Sequence, residues 1–500
     1  MAVEPTEART SLRLPDEAAT ARLAEDVAAV LMQGDLVALS GGLGAGKTTF
    51  ARALLRAIAG DPALEVPSPT FPLRIDHALP RLKVAHADLY RIGDASELAE
   101  IGLDEALVEG AVLVEWPEAL PAELAANRLD VRLELEGTGR RAELAAHGSW
   151  ADRLARTRAA RAFLDRAGWA DAARVPLVGD ASYRTHERVR RADATAFLMN
   201  APTRTPGPPI YGGRTYDDVA HRAPDIRASV AIGQALRERG VRAPEIYGAD
   251  LEAGFLLTED MGGEGIADVA GAPIMERYEA AIDLLAFMHG LSWPEEVALP
   301  SGRFRLLPYD RGALLVEVSL FSDWFGGHGG EPPFPPQERE PFLSAWGKLL
   351  DKIDPSDTTL VMRDFHSPNI LWQAGASGTD RVGVIDFQDA LIGNPAYDVA
   401  SLVEDARVPL TGEQQASLRD RYVAARRRGD AGFDAEAFDA AFTILGLQRA
   451  TKVLGIFTRL ALAEGKPGYQ RHRAWLKAVI RRNLAHPVLS GVRLWYEPYI

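Results

Sequence analysis

The stretch Leu36-Val-Ala-Leu39-Ser40-Gly41-Gly42-Leu43-Gly44-Ala45-Gly46-Lys47-Thr48-Thr49-Phe50 decides the fold of the N-terminal part of the chain. A short apolar run enters a glycine-rich turn, and the segment Phe50 to Ile58 leaves it with helical character. Strand, glycine loop and helix in this order make GxxxxGK[ST] a phosphate-binding loop. Its glycines let successive backbone N–H groups face an anion, and the helix adds its positive N-terminal end. Gly41, Gly42, Leu43, Gly44, Ala45, Gly46, Lys47, Thr48 and Thr49 are therefore assigned to ATP, with Lys47 on the β/γ oxygens and Thr48 on Mg²⁺.

Upstream, Leu23, Val27, Val30 and Leu31 recur at helical spacing between a Pro15-Asp16 start and a Gly34 stop, which predicts an amphipathic helix. Downstream, strands are expected at Lys83 to Ala87, Ala111 to Glu115 and Leu129 to Leu135, with helices between the first two. That alternation predicts an α/β domain with a parallel sheet. A phosphate loop needs an acidic residue at the end of a neighbouring strand to complete its metal site. Glu115 closes Val112-Leu-Val-Glu115, and Asp88 follows a second apolar run in His86-Ala-Asp88-Leu-Tyr90-Arg91. A plain polar strand end and a surface aspartate are the competing readings of these two.

Composition bounds the rest. At 500 residues the chain is too long for one ordinary core, and two domains are expected. Hydrophobic residues at 47% and charged residues at 25% place it with globular rather than disordered or fibrous chains. A net charge of -14 argues against a broad, sequence-independent grip on nucleic acid. Zero cysteines exclude disulfides, thiolate zinc sites and cysteine nucleophiles. The apolar run Gly312 to Phe321 is broken by Glu317, so no membrane span is expected. Met1-Ala-Val-Glu-Pro-Thr-Glu7 lacks a basic region and an apolar core, so the expectation is a cytoplasmic protein.

The loop, Ser68-Pro69-Thr70-Phe71, His86-Ala-Asp88-Leu-Tyr-Arg91, Ile101-Gly102-Leu103, Glu115-Trp116-Pro117 and His147-Gly-Ser-Trp150 stand in the order and spacing of the TsaE family, which residues 12–155 resemble. That family is the ATPase component of bacterial tRNA threonylcarbamoyladenosine synthesis. The resemblance implies a subunit that binds ATP and Mg²⁺ and works through other proteins of that complex, with tRNA met only indirectly. It assigns Lys47 to phosphate, Thr48 and Glu115 to Mg²⁺, and Asp88 to support of hydrolysis. Ser68 to Thr70 match a mobile segment near the γ-phosphate, and Thr20 and Arg140 match nucleotide-contacting positions. Gly42 replaces the usual Asp, with little effect expected because backbone groups hold the phosphates.

Between Ser149 and Arg174 the chain is Arg-rich and helical, with Arg153, Arg156, Arg158, Arg161 and Arg166. This is read as a helical junction over 156–176 with a solvated arginine face; an RNA contact is the alternative. Beyond it, strand-like segments at Val175 to Val189 and Ala196 to Asn200 precede helices from Ile226 onward, which predicts an α+β, two-lobed domain over 161–500. In Val361-Met-Arg-Asp364-Phe-His-Ser-Pro-Asn369, Asn follows Asp by five residues, and Val384-Ile-Asp386-Phe-Gln-Asp389 follows after a glycine-containing turn. This is the spacing of a kinase catalytic loop and metal-binding segment. Asp364 is then the base for the acceptor hydroxyl, and Asn369 and Asp386 hold Mg²⁺. Gly179 and Ser182, in Gly179-Asp-Ala-Ser182, are assigned to the ATP phosphates, against a β-turn without a ligand. Phe255 to Gly262 reads as a hinge strand for adenine.

This second part resembles the aminoglycoside-phosphotransferase-like kinases, and within them the AmgK-type amino-sugar kinases. Gly179-Asp-Ala-Ser182, Pro308-Tyr309-Asp310, Arg363-Asp-Phe-His366, Val384-Ile-Asp386 through Ala396-Tyr-Asp398, and Leu454-Gly-Ile-Phe-Thr-Arg459 carry the resemblance. It implies phosphorylation of the anomeric hydroxyl of N-acetylmuramate or N-acetylglucosamine in cell-wall recycling. Glu317 and Asp323 are candidates for sugar hydroxyls, with a solvent-facing carboxylate as the competing reading of each. Met362 stands where the family has His, and Ala196-Phe-Leu-Met199-Asn200 lacks the usual strand lysine. These departures keep open a pseudokinase that regulates the ATPase, and because fold analogy does not fix the acceptor, a kinase of another small alcohol is a further alternative.

Overall fold

The computed structural model describes residues 8–92, 95–121, 124–177, 184–328 and 331–500. Met1–Pro202 with Tyr247–Asp260 forms one compact unit, and Thr203–Ile246 with Met261–Ile500 forms the other.

The first unit opens with β1 (Ala8–Leu14), α1 (Glu17–Val30), β2 (Asp35–Ser40), α2 (Lys47–Ala59), β3 (Arg74–Ala78) and β4 (Lys83–Asp88). It continues through α3 (Ala95–Ile101), α4 (Leu103–Glu109), β5 (Ala111–Glu115), β6 (Asn127–Glu136), β7 (Gly139–Ala146) and α5 (Trp150–Arg166). Asp16 caps α1 by accepting from the Ala19 N–H at 2.7 Å. Gly60, at φ 68°, ends α2 in the left-handed conformation.

The sheet runs β1-β7-β6-β2-β5-β4-β3. It is mixed, which corrects the expected parallel sheet. β2 lies parallel to β5 and β6, and β4 parallel to β5. The Glu136↔Gly139 pairing leaves two residues to join β6 to β7, too few for any crossover, so β7 returns antiparallel and β1 pairs antiparallel with it. Alternation sorts the core: Val37, Leu39, Leu113, Val131 and Leu133 face Val27, Phe50 and Leu54 of α1 and α2. Leu36, Ala85, Ala87, Val112 and Val114 face Leu98, Leu103 and Ala106 of α3 and α4. Strands covered on both faces explain the uninterrupted apolar runs.

The same unit holds an antiparallel sheet of β8 (Ala173–Pro176), β9 (Thr185–Arg191), β10 (Ala194–Asn200), Phe255–Glu259 and Ile246–Asp250. α5 serves both cores. Trp150 and Leu154 pack with the ATPase sheet, while Ala160, Phe163 and Leu164 pack with Val189, Leu198, Phe255 and Leu257. Its arginines are not a solvated face, contrary to expectation. Arg153 donates to Asp35 at 2.6 and 2.7 Å, Arg156 to Asn200 Oδ1 at 2.6 and 2.8 Å, and Arg161 to Asp26 at 2.8 and 3.0 Å. Only Arg158 and Arg166 of the five are exposed.

The second unit is mostly helical. The 29-residue helix Ala435–Ala463 runs through its core, with Arg311–Leu320, Arg339–Leu350, Ala396–Val403 and Arg473–Asn483 among its neighbours. Two short strand pairs, Thr359–Val361 with Leu391–Gly393 and Ile370–Trp372 with Val382–Val384, carry the loops between them. No helix among the described residues is long and apolar enough to cross a membrane.

Candidate functional sites

β2 delivers the chain into the glycine loop at the point where β5 ends, with Leu39 opposite Glu115. Gly41, Gly44 and Gly46 have φ of 130°, 75° and 107°, and a Cβ on Gly41 would collide with the Leu133 carbonyl oxygen. At Gly42 a Cβ would meet nothing within 4 Å, so the family's Asp and this Gly are both accommodated. α2 begins at Lys47 without a side-chain cap, leaving its first N–H groups for an anion.

Lys47 Nζ donates to the carbonyls of Gly41 at 2.8 Å and Gly42 at 3.0 Å and lies 3.6 Å from the Trp116 ring centroid. Burial pulls the ammonium below its ordinary pKa, against the opposing charges of Glu115, Asp88 and Glu118. Thr48 Oγ1 donates to Glu115 Oε2 at 2.9 Å, and His86 Nε2 lies 3.1 Å from Glu115 Oε1. The Asp88↔Glu115 register sets two carboxylates side by side at the ends of β4 and β5. Asp88 is 5% exposed and accepts from the Tyr90 N–H at 3.0 Å, so it is not a surface aspartate. Arg140 Nε lies 3.4 Å from where a Gly46 Cβ would stand, which puts this arginine beside the loop. Thr20 is buried in the first turn of α1, and its hydroxyl donates to the Asp16 carbonyl at 3.3 Å. Nothing in that arrangement directs it at a nucleotide.

In the second unit the catalytic-loop segment is held by its backbone. Asp398 accepts from the N–H groups of Met362 at 2.6 Å and Arg363 at 2.9 Å, and Asp405 accepts from that of Ser367 at 2.8 Å. The Met362 side chain is buried in the core, so loop support here comes from Asp398. Asn369 Nδ2 donates to the Asp364 carbonyl at 3.0 Å, and the Ile385 N–H donates to the Asn369 carbonyl at 3.0 Å. The Ile370↔Val384 pairing thus brings Asn369 and Asp386 to the same end of one strand pair. Arg363 and Asp386 adopt φ of 69° and 58°. Left-handed backbone is rare for residues other than Gly and concentrates at functional sites.

The Asp364 side chain is 36% exposed. Burial alone would raise its pKa, but Lys452, His366, Arg449 and Arg363 together hold the carboxyl below the usual range, so it is ionised. Glu317 corrects the sequence reading. It is fully buried, takes Arg363 Nε at 3.1 Å and Lys452 Nζ at 2.8 Å on Oε1, and takes Tyr309 OH at 2.5 Å and Gln448 Nε2 at 3.1 Å on Oε2. Four donors leave it no lone pair for a sugar and make it a brace under the loop. Asp323, in the π-helical segment Phe321–Phe325, accepts from Arg339 Nε at 2.8 Å and Ser319 Oγ at 3.2 Å and is about a third exposed. Gly179 and Ser182 lie outside the described residues.

Asp398, Arg449 and Lys452 were missed in the sequence. The last two had a signal: two cations within one turn in the middle of a long, mostly apolar helix.

No group of three or more His, Asp or Glu among the described residues forms a metal cage. The donors present are instead a hydroxyl with a carboxylate, Thr48 and Glu115, and an amide with a carboxylate, Asn369 and Asp386. Such sparse, hard oxygen sets suit Mg²⁺, which takes its remaining ligands from phosphates and water.

These two centres define an ATP-dependent enzyme. The family model for threonylcarbamoyl adenosine biosynthesis protein TsaE matches residues 14–142, and that of the phosphotransferase enzyme family matches residues 179–438. An N-acetylmuramate/N-acetylglucosamine kinase of Caulobacter vibrioides is 32% identical over 356 residues, 69% of this chain and 97% of that one. Its namesake in Pseudomonas aeruginosa is 31% identical over 318 residues, 60% of this chain and 82% of that one. A tRNA threonylcarbamoyladenosine biosynthesis protein TsaE of Rickettsia bellii is 36% identical over 122 residues, 24% of this chain and 84% of that one. The chain belongs to the TsaE family through its N-terminal part and to the phosphotransferase enzyme family through the remainder. It is a fusion of an α/β P-loop domain with an α+β domain of the two-lobed, protein-kinase-like class, and both families use ATP with Mg²⁺.

Proposed function

We propose that the chain is a bifunctional cytoplasmic enzyme. Its P-loop domain serves as the ATPase of tRNA threonylcarbamoyladenosine modification, acting on other proteins of that assembly and meeting tRNA only through them. Its second domain transfers the γ-phosphoryl of ATP to the anomeric hydroxyl of N-acetylmuramate or N-acetylglucosamine. The observation that carries the kinase reading is the joining of Asp364, Asn369 and Asp386 through the Asn369–Asp364 and Ile385–Asn369 hydrogen bonds.

In that reading Asp364 orients the acceptor hydroxyl and takes its proton as the oxygen bonds to the γ-phosphorus, whose bond to the β,γ-bridging oxygen breaks to release ADP. Asn369 and Asp386 hold the Mg²⁺, which neutralises charge on the transferring group when bound. Glu317 fixes Arg363 beside the base, and Asp398 fixes the loop backbone. In the first domain Lys47 leaves the Gly41 and Gly42 carbonyls for the β/γ oxygens, Thr48 and Glu115 take the metal, and Asp88 supports hydrolysis. Relatives of both kinds support the pairing of activities.

The test is incubation of the full chain with Mg²⁺-ATP and each sugar, with sugar phosphate followed by mass spectrometry. Product from at least one amino sugar is expected. Its absence from both would sink the kinase assignment.

A further inference from the structure

In the helix Ala435–Ala463, Gln448, Arg449 and Lys452 turn toward the catalytic loop. Lys452 pairs with Glu317 at 2.8 Å and donates to Tyr397 OH at 3.3 Å, and Gln448 donates to Glu317 Oε2 at 3.1 Å and to the Leu314 carbonyl at 3.0 Å, with its own Oε1 left without a partner. Arg449 is different. It is 6% exposed, its Nε has no hydrogen-bond partner, and its Nη2 reaches Asp364 Oδ1 only at 3.8 Å, beyond hydrogen-bond length.

Burying a guanidinium with donors unmet is costly unless an anion completes it. Glu317 serves Arg363 and Lys452 directly, whereas Arg449 has no hydrogen-bonded carboxylate: Asp364 stands at 3.8 Å and Glu404 acts on it only through space. Its contact is with Asp364, the residue that engages the acceptor, and not with Asn369 or Asp386 on the nucleotide side. A planar two-oxygen anion fits a guanidinium fork better than it fits an ammonium.

We infer that Arg449 binds a carboxylate of the acceptor and makes the kinase site selective for an acidic amino sugar over its neutral counterpart. This rests on the kinase reading above. N-acetylmuramate carries such a carboxylate and N-acetylglucosamine does not, so one pair of sugars isolates the contact.

The experiment compares the full-length wild type, Arg449→Gln and Arg449→Lys on both sugars, with KM and kcat measured separately and folding checked by thermal unfolding. Loss of a charge-assisted hydrogen bond predicts that Arg449→Gln raises KM for N-acetylmuramate about 10- to 100-fold. Because Arg449 also stands beside Asp364, any fall in kcat should be shared by the two sugars, while the KM for N-acetylglucosamine should rise far less than that for N-acetylmuramate, and Arg449→Lys should recover part of the N-acetylmuramate loss. An active wild type whose Arg449→Gln variant leaves the ratio of the two KM values unchanged overturns the assignment of Arg449 alone. A wild type that phosphorylates neither sugar overturns the kinase reading and this inference with it.

Discussion

Arg174 of β8 and Asp26 of α1 are bound side chain to side chain at 2.7 Å, although one lies in the strand that opens the second sheet and the other in the first helix of the ATPase. Arg174 is 1% exposed and also grips Glu187 of β9 through two bonds of 2.6 and 2.7 Å. Thr157 of α5 adds a bond from its hydroxyl to the Asp26 carbonyl at 2.9 Å. β8 further packs on the end of α2, where a Cβ at Gly60 would stand 3.2 Å from Val175 Cγ1. Arg174→Met should therefore leave the buried Glu187 without its paired cation and Asp26 with Arg161 alone. A loss of ~3–5 kcal/mol is expected. Urea unfolding of the full chain measures it, and a loss within ~0.5 kcal/mol would show that the network carries no stability.

Gly41→Ala should abolish ATP binding to the P-loop. The φ of 130° and the collision with the Leu133 carbonyl both oppose a Cβ, whereas Gly42→Asp enters open space and should bind ATP as the wild type does. Titration with a fluorescent ATP analogue reads both, in a background where Asp386→Ala silences the kinase site.

Asp364→Asn should lower sugar phosphorylation by about 10²–10⁴ and leave nucleotide binding in place, because it removes the proton acceptor and no metal ligand. Lys47→Ala should show the converse, losing ATP hydrolysis in the absence of sugar while keeping sugar phosphorylation. Measuring both rates on both variants shows whether the sites act separately. A joint collapse in either variant would mean that they are coupled.

Glu317 predicts an acid limit. Burial alone would raise its pKa, but Arg363 and Lys452 depress it from 4.5 to about 2. A carboxylate depressed in the folded state adds stability above its unfolded pKa and loses it as pH falls through the folded value. The helical unit should hold its Glu317 contribution down to about pH 4.5 and lose it progressively toward pH 2. Urea midpoints across that window should fall more steeply for wild type than for Glu317→Gln, which should start lower.

The P-loop, the strand ends at Asp88 and Glu115, and the Asp364, Asn369 and Asp386 set were all legible because each lies in a contiguous segment whose chemistry demands its residue types. What escaped was non-local. Nothing along the chain announces that β6 and β7 form a hairpin beside β2, so alternation alone predicted a parallel sheet. Glu317 read as a sugar ligand or a solvent-facing carboxylate because its partners stand 46 residues away at Arg363 and 131 away at Gln448. The arginines of α5 looked solvated for the same reason: Asp35 and Asp26 precede Arg153 and Arg161 by 118 and 135 residues. A charge run read without its acceptors looks like surface.

The contact between Asp26 and Arg174 also bears on inheritance. A gene break after the first family match but before Arg174 would strand a carboxylate on one product and a guanidinium on the other, to the harm of both. Carried on one chain, the two catalytic parts are synthesised in a one-to-one ratio.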